Sequence, residues 1–148
     1  MPDQDLMQLY SRRILALTAA IPHLGRLPAP QGSAMRRSPQ CGSSVTVDVV
    51  LNGEIITDFA QEVRACALGQ ASAAVLGAAV IGRSRDEITA TRDALEAMLK
   101  HGGPVPAAPF DALEALSPAR DFPNRHASIL LAWDATLAAF DSAQASAA

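Results

Sequence analysis

The sequence predicts an α+β fold, in which a small antiparallel sheet of about three strands is covered on one face by helices. Residues 44–51 alternate polar and apolar side chains, which is the pattern of a half-buried strand, and Asn52-Gly53 marks a turn into a second strand. After Cys66 the chain changes to small, helix-forming residues. Three other stretches repeat apolar side chains at helical spacing, so we expect helices to pack against a small sheet.

The turn leaves two registers open for the hairpin. A two-residue loop pairs Val47 with Asp58 and mixes polar and apolar partners on one face. A three-residue loop over 51–53, with its glycine in the left-handed region, pairs Val49 with Ile55 and keeps one face apolar. We therefore expect the three-residue loop.

The two cysteines of the chain are its main chemical signal. In the expected register Cys41 lies opposite Val63, and Cys66 follows three residues later, so both thiols belong at the same end of the hairpin. Cys66 also directly precedes an alanine-rich helix that ends at Gly82, and the free N–H groups of a helix start favour a thiolate. Cys66 is thus a candidate ligand or sulfur nucleophile, although a small buried cysteine fits its position equally well.

The N-terminal half is expected to begin with a helix capped by Asp3 or Asp5 and running to about Ala20. Residues 21–32 hold three prolines and two glycines and are expected to be irregular. Residues 33–38 are a candidate for a short edge strand.

The C-terminal half is expected to hold three helical segments. Ser84 to Glu87 form a capping box, which predicts a surface helix over 85–100. Residues 110–116 predict a short helix. The last helix is expected to begin near Asn124, with an apolar stripe that includes Trp133.

Composition limits the possible functions. The 148 residues are expected to form a single domain over 1–148, and 49% of them are hydrophobic. A net charge of −3 argues against general nucleic-acid binding, and we see neither a membrane-spanning run nor a signal peptide. We therefore expect a cytoplasmic protein with reduced cysteines. No Ser/His/Asp arrangement or carboxylate pair stands out, so we do not expect an enzyme.

Four stretches resemble the scaffold proteins of iron–sulfur cluster assembly, the IscU/SufU type that also forms the N-terminus of NifU. They are LYSRRILALTAAIPHLGRL, PQCGSSVTVDV, RACALGQASAAVLGAAVIGRS and FPNRHASILLAWDAT. PQCGSSVTVDV resembles the family's P-x-C-G-D motif, and the stretch after it resembles the G-C-x-x-x-x-A-S segment. The last stretch is similar to the family's basic residue, cysteine and L-A-x-x-A helix. The resemblance implies a fold like that of the NifU and SufE proteins.

The resemblance implies a metal or cluster site made of three cysteines and the aspartate of C-G-D. Cys41 and Cys66 match the first two cysteines, whereas Ser43 stands at the aspartate and Ser128 at the third cysteine. A shift of two residues would instead offer His126. Cys41, Cys66 and His126 could then supply three ligands, a mixed sulfur and nitrogen set that zinc accepts and iron–sulfur centres tolerate. Either Ser128 or His126 is open as the third donor.

The resemblance implies a carrier that takes sulfur from a cysteine desulfurase, holds iron or a labile [2Fe–2S] cluster and passes it to apo iron–sulfur proteins. The alternatives are a zinc-binding regulatory partner of a desulfurase, and a sulfur acceptor that carries a persulfide on Cys66 alone. Two structural cysteines in a domain that has lost its site are a further alternative.

Overall fold

The computed structural model describes residues 10–39 and 42–147. Its elements, in chain order, are α1 Arg12–Thr18, β1 Gly32–Arg37, β2 Ser44–Asn52, β3 Ile55–Arg64, α2 Ala67–Ala79, α3 Arg85–His101, the 3₁₀ helices Asp111–Asp121 and Pro123–Arg125, and α4 His126–Ala147. The strands form one antiparallel sheet in the order β1-β2-β3. The predicted α+β class and the edge strand are therefore confirmed.

The long helix α4 covers the apolar face of the sheet. Val45, Val47 and Val49 of β2 point to this face and are fully buried. Gly32 at the start of β1 permits the closest approach, because a Cβ atom there would lie 2.1 Å from the carbonyl oxygen of Ala139 in α4. The sheet and α4 thus pack as two layers, and the burial of the three valines contributes to the stability of this packing.

The hairpin register differs from the predicted one. Val49 pairs with Phe59, not with Ile55, because the turn lies at Gly53-Glu54 and a bulge interrupts the pairing after Val50. Gly53 has a φ of 63°, which glycine adopts without strain. The bulge adds one residue to β3, so that Val45 and Val49 lie opposite Val63 and Phe59, while Val47 lies opposite Gln61.

The observed register also differs from the predicted one at the open end of the hairpin. Val63 pairs with Val45, so the expected pairing of Val63 with Cys41 is wrong. Ser44 lies opposite Arg64, and Cys66 follows two residues later. At the same end, the N–H of Ser38 donates to the carbonyl of Ser43 over 2.8 Å. The segment before β2 and the start of α2 therefore meet at one end of the sheet.

The helix boundaries agree in part with the predictions. The capping box of α3 is present, with Ser84 and Glu87 each accepting from the other's backbone N–H. Helix α1 begins after Ser11, and the expected caps Asp3 and Asp5 lie outside the described residues. Asn124 sits within a 3₁₀ turn, because Pro123 begins a short 3₁₀ helix that leads into α4.

The irregular segment between α1 and β1 closes the other face of the sheet. Its residue Leu24 forms a bridge with Gln61 of β3, and the chain then crosses toward β1. The carboxylate of Asp48 is completely buried under this segment. It accepts hydrogen bonds from Arg26, the N–H of Leu27 and the hydroxyl of Ser33, over 2.6 to 3.0 Å. A charge buried this deeply requires such partners.

Candidate functional site

Cys66 occupies the junction between β3 and α2. It is the N-cap residue of α2, with extended backbone angles of −64° and 170°, and its side chain is partly exposed. The expected position of Cys66 at a helix start is therefore confirmed. It is a free thiol among the described residues.

Two serine hydroxyls lie against this thiol. The Oγ atom of Ser128 is 3.6 Å from the Sγ atom of Cys66 and 3.1 Å from the Oγ atom of Ser43. Both serines are buried, whereas Cys66 reaches the surface. We call Ser43, Cys66 and Ser128 the thiol–hydroxyl cluster. It joins the segment before β2, the start of α2 and the first turn of α4.

The crossing of α2 and α4 brings Cys66 and Ser128 together. Gly69 makes this crossing possible, since a Cβ atom there would lie 2.7 Å from the Oγ atom of Ser128. One turn later, Ser72 donates to the carbonyl of Ile129 over 2.6 Å and accepts from the indole N–H of Trp133 over 3.0 Å. The small residues of α2 thus let α4 approach closely, and Ser72 fixes its position.

The surroundings of Cys66 favour its ionised form. Partial burial of the thiol opposes ionisation, but the N–H of Gly69, the hydroxyl of Ser128, the N–H of Leu68 and the charge of Arg125 outweigh it. Together they lower the pKa of the Cys66 thiol below its usual value. The thiolate is therefore the species that these groups stabilise.

His126 occupies a different environment from the thiol–hydroxyl cluster. It is the first residue of α4 and is buried, and its Nε2 atom lies 2.8 Å from the carbonyl oxygen of Ala119. That nitrogen is therefore engaged with the backbone. Between the two alternatives for a third donor, it is Ser128 whose side chain contacts Cys66. The ligand role of His126 stays a prediction.

The described donors by themselves do not make a metal site. Within residues 10–39 and 42–147, no group of three or more His, Cys, Asp or Glu side chains is placed to hold a metal ion. The cluster offers one thiol and two neutral hydroxyls, and zinc is bound in proteins by thiolate, imidazole or carboxylate. Cys41 lies outside the described residues, so its proximity to Cys66 also stays a prediction. A resident zinc ion does not fit the described residues alone.

Sequence reasoning identified the members of the cluster but not their contacts. Ser43 and Ser128 stood out only as substituted positions in a family resemblance, and no spacing rule connects residues so far apart in the chain. The contact of Ser72 with Trp133 was missed completely. The small residues of α2 were the available signal: they predicted a helix that lies close on the sheet, whereas the element that α2 approaches closely is α4.

A protein-family comparison decides the ancestry of this arrangement. The model of the NifU-like N terminal domain matches residues 9–141. The chain belongs to the NifU-like N-terminal domain family. Its thiol–hydroxyl cluster lies inside the matched region, so the cluster is part of the family domain and not an appended feature.

A sequence relative and a solved structure agree with this assignment. The iron–sulfur cluster assembly scaffold protein IscU of Streptococcus pyogenes serotype M1 is 27% identical over 113 residues, covering 76% of this chain and 70% of the relative. The crystal structure of the N-terminal part of a nitrogen-fixing NifU-like protein from Brucella abortus has a TM-score of 0.92 at 40% identity. That likeness covers 95% of this chain and 98% of the other.

A more distant structure shares the fold of this NifU-like domain. It is described as a putative iron–sulfur cluster assembly scaffold protein for the SUF system from the thermophile Fervidobacterium islandicum AW-1. The TM-score is 0.78 at 23% identity, over 89% of this chain and 96% of the other. In the part of the chain that the structure describes, we find no helix with the length and apolar character needed to cross a bilayer.

Proposed function

We propose that this NifU-like domain is a scaffold for iron–sulfur cluster assembly, which receives sulfur and iron, holds them transiently and passes them to apo-proteins. The observation that carries the proposal is the meeting of Ser43, Cys66 and Ser128 within 3.1 and 3.6 Å. These are three of the positions that match the family's ligands, and they converge although two of them are serine. The name of the Streptococcus pyogenes relative supports the same role.

The chemistry of the thiol–hydroxyl cluster suits transient binding of iron and sulfur. The Cys66 thiolate would bind iron or sulfide directly, and Cys41 would add a second thiolate. Ser128, or His126 through its other ring nitrogen, would contribute a weaker third contact. Since a [2Fe–2S] cluster normally has four strong ligands, such a set would hold its cargo weakly and release it readily. A carrier needs this property.

The proposed partners follow from the direction of transfer. A cysteine desulfurase would supply sulfur to the partly exposed Cys66, and apo iron–sulfur proteins would take the assembled cluster from the same end of the sheet. Both exchanges belong to the cytoplasm, where thiols stay reduced.

Anaerobic reconstitution with iron and sulfide tests the scaffold role. We expect charge-transfer absorption bands together with bound iron and sulfide, and their loss in Cys66→Ala and in Cys41→Ala. Ser146→Ala, an exposed residue near the end of α4, is the matched control and should reconstitute like the parent. A protein that gains neither bands nor iron would contradict the proposal. One zinc ion per chain and no sulfide would support the regulatory zinc-binding alternative.

A second candidate function is the acceptance of sulfur on Cys66 without assembly of an iron–sulfur cluster. The lowered pKa of the Cys66 thiol and the hydroxyls at two ligand positions favour it. In this reaction the Cys66 thiolate attacks the outer sulfur of a donor persulfide, a new S–S bond forms on Cys66, and the donor leaves as a thiolate. Mass spectrometry after incubation with a desulfurase and cysteine should show one added sulfur. Cys66→Ala should abolish the addition, and Cys41→Ala should not; equal loss in both would contradict this version.

A further inference from the structure

A groove with an apolar floor and a charged rim lies beside the thiol–hydroxyl cluster. It runs between the end of β1, helix α3 and the start of α4, and its volume is about 370 Å³. Its apolar lining consists of the exposed Pro39, Pro123 and Ala127 together with the nearly buried Leu130 and Leu131 of α4. Ser38 is also part of its wall, and the N–H of Ser38 bonds to the carbonyl of Ser43 in the cluster. We call it the basic groove.

The carboxylates of the basic groove are already neutralised. Arg92 lies 2.9 Å from Asp134 and 3.2 Å from Glu96, and Lys100 lies 3.3 Å from Glu96. Arg92 also contacts Asp93 at its outer side. The charges of the two acidic side chains in the groove are therefore balanced by Arg92 and Lys100.

Two exposed arginines lie on the rim of the groove. Neither Arg36 nor Arg37 forms an ion pair with a carboxylate within residues 10–39 and 42–147. The guanidinium of Arg36 donates only to the adjacent carbonyl of Met35 in that part of the chain. Exposed guanidinium groups of this kind are ready to bind carboxylates in bidentate fashion.

The positive charge continues across the end of the sheet. Arg37, Ser44 and Arg64 occupy one row of the register, so Arg37 and Arg64 lie about 10 Å apart on the face of the sheet turned away from α4, whereas Arg36, opposite Val45, lies on the face that α4 covers. Arg125, close enough to Cys66 to lower the pKa of its thiol, adds a further cation at this end. The chain as a whole carries a net charge of −3, so this concentration of cations is local. Local fields of this kind steer partners of opposite charge.

We propose that the basic groove docks an extended acidic segment of a partner protein, whose carboxylates meet Arg36 and Arg37 and whose apolar side chains contact the exposed Pro39, Pro123 and Ala127. The inference rests on the proposed function for the identity of the partner, a sulfur donor or a cluster acceptor that must reach Cys66. The docking itself depends on charge and shape alone.

Fluorescence anisotropy tests the docking with a labelled peptide of about ten residues that alternates glutamate and leucine, spanning about 33 Å when extended. The metal-free protein binds this peptide and not its lysine–leucine counterpart, and added salt weakens binding. Arg36→Glu/Arg37→Glu lowers the affinity by about tenfold or more, because attraction becomes repulsion. Arg12→Glu/Arg13→Glu is the matched control. It makes the same charge change at adjacent exposed positions on α1, a helix that packs on α2.

Equal binding of both peptides, or equal affinity in the two double variants, overturns the proposal. Binding to vesicles of phosphatidylserine and phosphatidylcholine with no binding to the acidic peptide also overturns it, since the surface would then recognise a membrane. The peptide experiment uses neither iron nor sulfide. A failed reconstitution with intact docking therefore counts against the scaffold role alone, and the reverse result counts against the groove alone.

Discussion

The hydroxyl oxygens of Ser43 and Ser128 lie 3.1 Å apart although 85 residues separate them in the chain. Their contact places the segment before β2 against the first turn of α4, directly beside the thiol of Cys66. The positions that the family resemblance assigns to an aspartate and a cysteine are therefore neighbours in this fold. Among the described residues, three of the positions that the resemblance matches to ligands therefore lie together, and two of the three carry a hydroxyl.

An aspartate at position 43 and a cysteine at position 128, as in the family motif, should give the protein a zinc site. We expect Ser43→Asp/Ser128→Cys to retain about one zinc ion per chain after purification, because carboxylate and thiolate would join the two cysteines in a tetrahedral set. The parent protein should retain much less. Elemental analysis by mass spectrometry, with protein concentration from amino-acid analysis, measures the difference.

Ser43→Asn/Ser128→Ala is the control for this experiment, since it changes the same positions without adding a charged ligand. It should bind no more zinc than the parent. If the restored variant and this control held equal amounts of metal, the two serines would not occupy ligand positions around Cys66.

Removal of the Ser128 hydroxyl should make Cys66 less reactive. In a Cys41→Ser background, which leaves one thiol, we expect Ser128→Ala to slow alkylation of Cys66 by iodoacetamide at neutral pH, because the thiolate loses a hydrogen-bond donor and the pKa of the thiol rises. Ser43→Ala should have a smaller effect, since Ser128 contacts the sulfur and lowers the pKa of the thiol, whereas Ser43 contacts the hydroxyl of Ser128. The pH dependence of the alkylation rate measures both. A larger effect at Ser43 would contradict this order.

The sequence was informative about local structure and poor on long-range contacts. The capping box of Ser84 and the helix after Cys66 follow from neighbouring residues and were predicted correctly. The hairpin register was predicted wrongly because the turn lies at Gly53-Glu54 and a bulge follows Val50, and the local sequence specifies neither uniquely. The contact of Ser128 with Cys66 depends on how α2 crosses α4. Spacing alone does not determine that crossing, and only the family resemblance indicated the pair.

Asp48 should be important for stability. We expect Asp48→Asn to lower the free energy of unfolding by about 2 kcal/mol at neutral pH, because the buried carboxylate accepts hydrogen bonds from Arg26, Leu27 and Ser33 and an amide satisfies them incompletely. Urea denaturation measures the loss. Glu54→Gln, at an exposed turn residue, is the control and should change stability by less than about 0.5 kcal/mol.

The same carboxylate should make stability depend on pH in the acid range. Burial opposes ionisation of Asp48, but Arg26, Ser33 and the N–H of Leu27 hold its pKa below the usual value. The unfolded chain therefore binds a proton at higher pH than the folded one. The contribution of Asp48 is complete above the unfolded pKa and is lost as the pH falls through the folded pKa, that is, below about 4. Stability should fall less steeply in Asp48→Asn between neutral pH and pH 3; equal slopes would contradict the assignment.

Gly69 should be required for the close approach of α2 and α4. A Cβ atom there would lie 2.7 Å from the Oγ atom of Ser128 and 2.8 Å from the Cβ atom of Ala65, so Gly69→Ala must push the helices apart. We expect a loss of about 1–3 kcal/mol in the free energy of unfolding, although alanine is the better helix former by about 1 kcal/mol. Ser128→Ala in the same chain should recover part of this loss, because it removes one of the two clashes. A double-mutant cycle by denaturant unfolding measures the coupling between the two positions. Additive effects would mean that the crossing of α2 and α4 adjusts without involving Ser128.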